Sequence, residues 1–241
     1  MSRLTGTVAL VTGATGGMGT AIVTRLLADG ARVVLADLGL EPSATDTTLS
    51  VPLDVRDDES VAAAIAAAVE HFGKLDLLVN NAGIMARRNA LETETALFQQ
   101  ILDVNLTGGF RMARAAYPHL AASAAGSIVS VSSTHAFLAA KNSIAYSTSK
   151  AGISHLTRLL ALEWAGVGIR VNAVAPTVVP SPMTADVLAD PAYIERKMAA
   201  IPLGRPIPAE HVAAAIAYLA SDDAASTTGQ VLVLDGGESL A

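Results

Sequence analysis

A chain of 241 residues, 51% hydrophobic, with a formal charge of −6 and a pI near 5.3, can bury a substantial core but lacks the basic surface that nucleic acid or an anionic membrane requires. It contains no cysteine, which excludes disulfides, thiolate metal sites and a cysteine nucleophile and is compatible with the cytosol. Its five histidines lack metal-ligand spacing, residues 1–6 lack the apolar core of a signal peptide, and Ala62 to Val69 is too short to span a bilayer, so the expectation is one domain, 1–241, in the cytoplasm, with a small-molecule substrate and neither nucleic acid nor membrane as partner.

Thr7 to Val11 reads as a first strand running into Thr12-Gly13-Ala14-Thr15-Gly16-Gly17-Met18-Gly19, followed by an alanine- and leucine-rich helix to Asp29. Glycines at such a turn permit positive φ and let the backbone approach a pyrophosphate seated on the helix N-terminus. A tight βα turn that needs glycine for its dihedrals alone is the alternative. The second strand, Arg32 to Ala36, ends at Asp37, about 20 residues beyond the loop, where a carboxylate accepts both hydroxyls of an adenosine ribose and repels a 2′-phosphate. Neither the glycine loop nor Leu38 and Gly39 offers an Arg or Lys to hold that phosphate, so the residues favour NAD; an ordinary strand-end aspartate is the competing account.

Between Gly39 and Thr48, a proline and small polar residues suggest a shortened or missing helix. Val51 to Leu53 makes a third strand closed by Asp54-Val55, and Asp58 to Phe72 is a helix with an acidic first turn and Gly73 near its end. Leu75 to Val79 is a fourth strand leading into Asn80-Asn81-Ala82-Gly83, a sequence suited to a ligand crevice and also to any sharp turn. Leu91 to Tyr117 has the pattern of one long helix with Asn105 near its middle, an unfavourable position that implies either a function or a small kink. Ser127 to Val131 is a fifth strand ending at Ser132-Ser133.

Tyr146-Ser147-Thr148-Ser149-Lys150 then opens a helix through Ile153, Leu156, Leu159, Leu160 and Trp164, with Tyr146 and Lys150 on one face. An ammonium about 5 Å from a phenol, at an effective dielectric of about 20, favours the phenolate by about 3 kcal/mol, or about two pKa units. The first helical turn adds to this. A half-exposed tyrosine and a solvated lysine are the plain alternative. Ile169 to Val174 is a sixth strand, Pro176 to Pro182 a proline-rich loop, Thr184 to Ala200 one or two short helices, His211 to Ala220 a helix, and Val231 to Leu234 a last strand stopped by Asp235-Gly236-Gly237. Apolar strands alternating with helices predict an α/β fold with a parallel sheet of about seven strands covered on both faces.

Together these motifs resemble the classical short-chain dehydrogenase/reductase family over essentially the whole chain. The resemblance rests on Thr12-Gly13-x-x-x-Gly17-x-Gly19, Asp54, Asn80-Asn81-Ala82-Gly83, Asn105, Ser133, Tyr146-x-x-x-Lys150 and Asp235-Gly236-Gly237, in the family's order. It implies a single-domain, doubly wound Rossmann fold and an NAD-dependent oxidoreductase that moves a hydride between nicotinamide and a secondary alcohol or ketone. In that likeness Tyr146 is the general acid/base, and Ser133, thirteen residues before it, steadies the reacting oxygen. Lys150 binds the nicotinamide ribose and lowers the Tyr146 pKa, and Asn105 holds a water of a proton relay. Gly13, Gly17, Met18 and Gly19 line the pyrophosphate, Asp37 the ribose, Asp54 and Val55 the adenine edge. Asn81, Ala82 and Gly83 form the adjoining wall, and Val179 and Ser181 face the carboxamide.

One position departs from the family pattern: Thr177 stands where glycine usually follows the proline, so either the loop takes another path or its dihedral is ordinary. The resemblance also implies a homotetramer built on the 91–117 and 146–164 helices and the C-terminal strand. Arg87 and Arg88, beyond the Asn80 to Gly83 turn, form an adjacent guanidinium pair suited to an anion. A similar arginine-bearing loop in the family's gluconate and ketodeoxygluconate dehydrogenases makes a sugar, sugar acid or polyol the preferred substrate class. A solvated loop pair, or partners for Glu92 and Glu94, is the alternative for these arginines. Steroid or 3-oxoacyl ketones are the runner-up substrates, and a non-catalytic dinucleotide-binding regulator is the alternative of another class.

Overall fold

Val8–Thr12 (β1) is buried at every position, as a central parallel strand with both faces covered must be. In the computed structural model, which describes residues 3–240, β1 lies inside one sheet of eight strands ordered β3-β4-β2-β1-β5-β6-β7-β8. The others are β2 (Arg32–Asp37), β3 (Ser43–Ala44), β4 (Thr48–Pro52), β5 (Leu77–Asn80), β6 (Ser127–Val131), β7 (Arg170–Pro176) and β8 (Val231–Leu234). Every neighbouring pair is parallel except β3 with β4.

Side chains alternate across the strand, and the two faces of β1 show it. Val8 and Leu10 join the core beneath α2 (Asp58–Phe72), α4 (Gly108–Ala122) and α5 (Ile144–Trp164), while Ala9 and Val11 join the core beneath α1 (Gly17–Ala28) and α8 (Ala209–Ala220). This is the doubly wound α/β architecture that the alternation of strands and helices predicts. Strand order reverses between β1 and β5, which opens a crevice at their carboxyl ends, the place where such sheets bind ligands.

Two sequence expectations are corrected. The sheet has eight strands rather than about seven, because residues 43–44 form an antiparallel edge held by a turn in which Thr45 N donates to Thr48 O at 2.8 Å. Two exposed, small residues carry no hydrophobic period, so β3 leaves no signal in the sequence. The helix expected from Leu91 to Tyr117 is two helices, α3 (Thr95–Leu102) and α4, joined by a π-helical turn at Asp103–Thr107 that contains Asn105. Leu91 itself is fully exposed, ahead of α3. The segment expected to hold one or two short helices divides into α6 (Ala185–Leu188) and α7 (Pro191–Ala200). Among the described residues no helix is long and apolar enough to cross a membrane.

Candidate active site

The glycine loop and the β5 turn interlock. Gly13 has φ +63°, and a Cβ there would stand 2.9 Å from Ala82 Cα; a Cβ on Gly19 would stand 2.0 Å from the Gly13 carbonyl oxygen. Asn81 Nδ2 donates to the carbonyls of Thr12 (3.0 Å) and Gly13 (2.9 Å), while Thr12 Oγ1 accepts from the backbone N–H of Asn81 (3.1 Å) and Ala82 (3.0 Å). The Asn81 carboxamide therefore braces the loop. The result is a cavity of 610 Å³ lined by Gly13, Gly17, Met18, Gly19, Asp37, Asp54, Val55, Asn81, Ala82, Gly83 and Ser181, all expected on the cofactor path. A cradle that any Cβ would fill, at a helix N-terminus, fits a pyrophosphate.

Asp37 is held at the far end of that cavity. Its Oδ2 accepts from Thr15 N (2.9 Å) and Thr15 Oγ1 (2.5 Å), and its Oδ1 from Leu38 N (2.8 Å). Arg56 also lines the cavity, but its Nε and Nη2 fork onto Asp54, with Nη2 2.6 Å from Oδ2. That bond holds the Asp54 carboxyl below its usual pKa.

At the near end, a Cβ on Gly83 would lie 3.7 Å from Lys150 Nζ and 3.3 Å from Asn105 Oδ1. Lys150 is 4% exposed; its Nζ donates to the Val131 carbonyl at 2.7 Å and sits 5.4 Å from the centroid of the Tyr146 ring. Burial lowers its pKa from 10.5 to about 8. Tyr146 stands on the first turn of α5, with the Ser133 hydroxyl near enough to act on its phenol. Burial raises the phenol above its ordinary pKa, outweighing the lowering by that hydroxyl and by the Arg87 charge. The lowered phenol expected from helical spacing is thus reversed by burial, and the Lys150 ammonium is directed to the Val131 carbonyl. Ser132 points the other way, bonding the Lys150 carbonyl (3.0 Å) and Ser154 Oγ (2.8 Å), so Ser133 alone of the two serines reaches Tyr146.

The π turn aims Asn105 at the β5 turn, a common use of an extra residue in a helix. Its Oδ1 accepts from Ile84 N (2.8 Å), and its Nδ2 donates to Ile84 O (2.9 Å) and Ser149 Oγ (3.0 Å). Ser149 Oγ donates in turn to the Tyr146 carbonyl at 2.7 Å, linking Asn105 to the Tyr146 turn.

The two arginines diverge. Arg88 pairs with Ser143 as an isolated parallel bridge, and successive residues of extended chain face opposite ways. Arg87 Nη1 reaches Asp186 (3.0 and 2.8 Å) and Nη2 reaches the Met183 carbonyl (3.3 Å). Arg88 Nη1 turns back to the Arg87 carbonyl, and its side chain lines a separate surface groove with Lys141 and Thr148. Ser181, Pro182 and Met183 cover the cavity, the Ser181 Cβ lying 3.1 Å from where a Gly17 Cβ would stand. Val179 is buried outside the cavity lining, its carbonyl taken by Thr184 Oγ1 at 2.7 Å. Thr177 has no positive φ, so of the two expectations the ordinary dihedral holds.

Several residues lie beyond sequence reasoning: Thr15, Ser149, Asp186, Lys197, Glu238 and His135. The His135 ring stands edge-on to Tyr146 at 5.7 Å, and its Nδ1 is buried without a partner. A short loop two residues after Ser133 was the one available signal for His135; the others depend on segments far apart in the chain. Among the described residues no cluster of three His, Asp or Glu could hold a metal.

With this fold and site the chain belongs to the short-chain dehydrogenase/reductase family, and it is an oxidoreductase of CH–OH groups that uses a nicotinamide dinucleotide. A family model described as enoyl-(acyl carrier protein) reductase matches residues 13–239. The chain is 41% identical to the 2-(R)-hydroxypropyl-CoM dehydrogenase of Xanthobacter autotrophicus, over 95% of this chain and 97% of that one. It is 38% identical to the galactitol 2-dehydrogenase (L-tagatose-forming) of Cereibacter sphaeroides, over 98% and 96%. Its fold superposes with a TM-score of 0.92 and 28% identity on a gluconate 5-dehydrogenase from Burkholderia cenocepacia in complex with NADP and tartrate, covering 99% of this chain and 97% of that one.

Proposed function

We propose that this protein is an NAD-dependent dehydrogenase that interconverts a secondary alcohol and its ketone, on a sugar, sugar acid or polyol. The observation that carries the reading is the convergence of Ser133, Tyr146 and Lys150 beside Gly83, at the end of the cavity opposite Asp37. A nicotinamide cofactor held along that cavity supplies the hydride acceptor or donor.

The protein's part is proton handling and orientation. In the reductive direction Tyr146 donates its phenol proton, the form that burial favours, to a carbonyl oxygen; in the oxidative direction its phenolate accepts the alcohol proton. Ser133 Oγ, beside the phenol, holds the same substrate oxygen and steadies its developing charge. Lys150 presents its ammonium beside Gly83, where the nicotinamide ribose is to lie. Asn105 fixes the Ile84 backbone and Ser149, and a second lone pair of its Oδ1 is available to hold a relay water near Lys150.

NAD is the cofactor of this reading, although the gluconate 5-dehydrogenase relative carries NADP. Asp37 sets a fixed carboxylate at the ribose end, and Arg56, the cation nearest in the lining, is already neutralised by Asp54. Arg87 supports an acidic substrate: its charge is felt at Tyr146, and its Nη1 already holds both oxygens of one carboxylate, that of Asp186. The test is a panel of sugars, sugar acids, polyols and steroids with NAD and with NADP, followed by nicotinamide absorbance. Turnover confined to steroids would overturn the substrate class, and cofactor binding without any turnover would favour the non-catalytic regulator.

A further inference from the structure

Thr177 breaks the family's glycine pattern without adopting a strained dihedral, and its hydroxyl has a specific partner. Thr177 Oγ1 donates to Glu238 Oε2, while Glu238 Oε1 receives the ammonium of Lys197 from α7. The ion pair is mostly withdrawn from solvent, its side chains 14% and 12% exposed. Each carboxylate oxygen thus serves a different segment. Glu238 is itself set in place by the C-terminal turn: its N–H donates to the Asp235 carbonyl (3.2 Å), and Asp235 accepts from Gly237 N (2.9 Å) and Ser239 N (2.8 Å). The same turn grips the chain just beyond α7, since Leu203 N donates to the Gly236 carbonyl at 3.1 Å.

Both segments reach the site. The chain from Thr177 continues into Ser181, Pro182 and Met183, which line the cofactor cavity, and the carbonyl of Pro176 accepts from Ser133 Oγ at 3.5 Å. The His135 ring stands edge-on to Tyr146 and feels the Lys197 and Glu238 charges, which puts the ion pair near the Tyr146 end of the site.

We propose that Glu238 is a positioning residue with two separable arms: through Thr177 it holds the loop that covers the cofactor, and through Lys197 it holds α7 near the Tyr146 end of the site. The proposal rests on the reading of this cleft as a dehydrogenase site. Removing one arm leaves the other in place. A buried ionised group that loses its partner is costly, so the arms are strong relative to an exposed ion pair.

The experiment separates them with three measurements on the full chain: the NADH dissociation constant by fluorescence titration, amide exchange across α7, and KM for an alcohol found in the panel. Thr177→Val should weaken NADH by about tenfold or more, the scale of a lost hydrogen bond to a charged group, while α7 exchange stays as in the wild type. Lys197→Met should speed α7 exchange and raise the alcohol KM with little change in NADH affinity. Glu238→Gln keeps an acceptor for Thr177 and should behave like Lys197→Met, whereas Glu238→Ala should show both defects. If Glu238→Ala fails to fold, the other three variants still decide. Parallel shifts of NADH affinity and α7 exchange in every variant, or a lower melting temperature with both unchanged, would overturn the proposal. The NADH and exchange measurements need no turnover, so a wild type inactive on the whole panel defeats the dehydrogenase reading and leaves these two arms to be judged on their own.

Discussion

Replacing Lys150 by methionine should abolish useful turnover and yet stabilise the protein at neutral pH. Lys150 is 4% exposed, and burial alone lowers its pKa from 10.5 to about 8. At about 1.4 kcal/mol per pKa unit, keeping that amine charged in the folded state costs about 3 kcal/mol. Methionine removes the charge but also the bond to the Val131 carbonyl; because the comparison is with the neutral amine, that loss counts as an ordinary hydrogen bond of about 1 kcal/mol. The net gain at pH 7 is about 2 kcal/mol, or roughly 4–8 °C in melting temperature for a chain of this size.

The sign of the pH dependence follows from linkage. The folded pKa lies below the unfolded one, so between about 8 and 10.5 the unfolded chain binds more protons, and wild-type stability rises with pH across that window. Lys150→Met lacks this rise, so its advantage should shrink to nearly nothing by about pH 9.5. Thermal unfolding of both proteins from pH 7 to 9.5 is the assay. A variant that melts no higher than the wild type at pH 7, or an advantage that does not close with rising pH, refutes the account of a lysine kept charged for function at the cost of stability.

Tyr146→Phe should leave NADH affinity nearly unchanged and remove almost all turnover, and retention of more than about a tenth of it would sink the acid/base assignment. Because burial raises the Tyr146 pKa, wild-type alcohol oxidation should climb through the alkaline range while ketone reduction falls there; flat profiles in steady-state assays would count against this. At subsaturating concentrations NAD should be preferred over NADP by about tenfold or more, and equal efficiency would show that Asp37 does not face the ribose. Light scattering at micromolar protein should give a tetramer, since α5 exposes Leu159 and Leu162 (44% and 80%) and the edge strand β8 exposes Leu232 and Val233 (36% and 37%); a monomeric mass would contradict it. Arg87→Ala should cost an acidic sugar about 2 kcal/mol while sparing its neutral analogue, with equal losses removing the case for an anionic substrate.

By itself, the sequence determined what local chemistry can express. Apolar runs of strand length, such as Val8–Thr12 and Ser127–Val131, announce a parallel sheet because both of their faces must be covered. The glycine loop and the Tyr146 to Lys150 spacing are legible because dihedral freedom and helical period are properties of neighbouring residues. Boundaries governed by a weak or interrupted period were lost: β3 is two exposed residues, and the π turn at Asn105 changes the helix by one extra residue that no hydrophobic pattern records.

Tertiary structure alone decided how charges are shared. Helical spacing put Lys150 within reach of Tyr146, but burial determined that the amine would be lowered and the phenol raised. Arg87 and Arg88 are adjacent in sequence and divergent in space, because Asp186, 99 residues from Arg87, claims one guanidinium and an extended backbone turns the other away. Thr177 looks like an anomaly in the sequence until Glu238, 61 residues on, supplies its acceptor. Electrostatic free energy depends on burial and on partners brought together by the whole fold, and neither is encoded in any window of neighbouring residues.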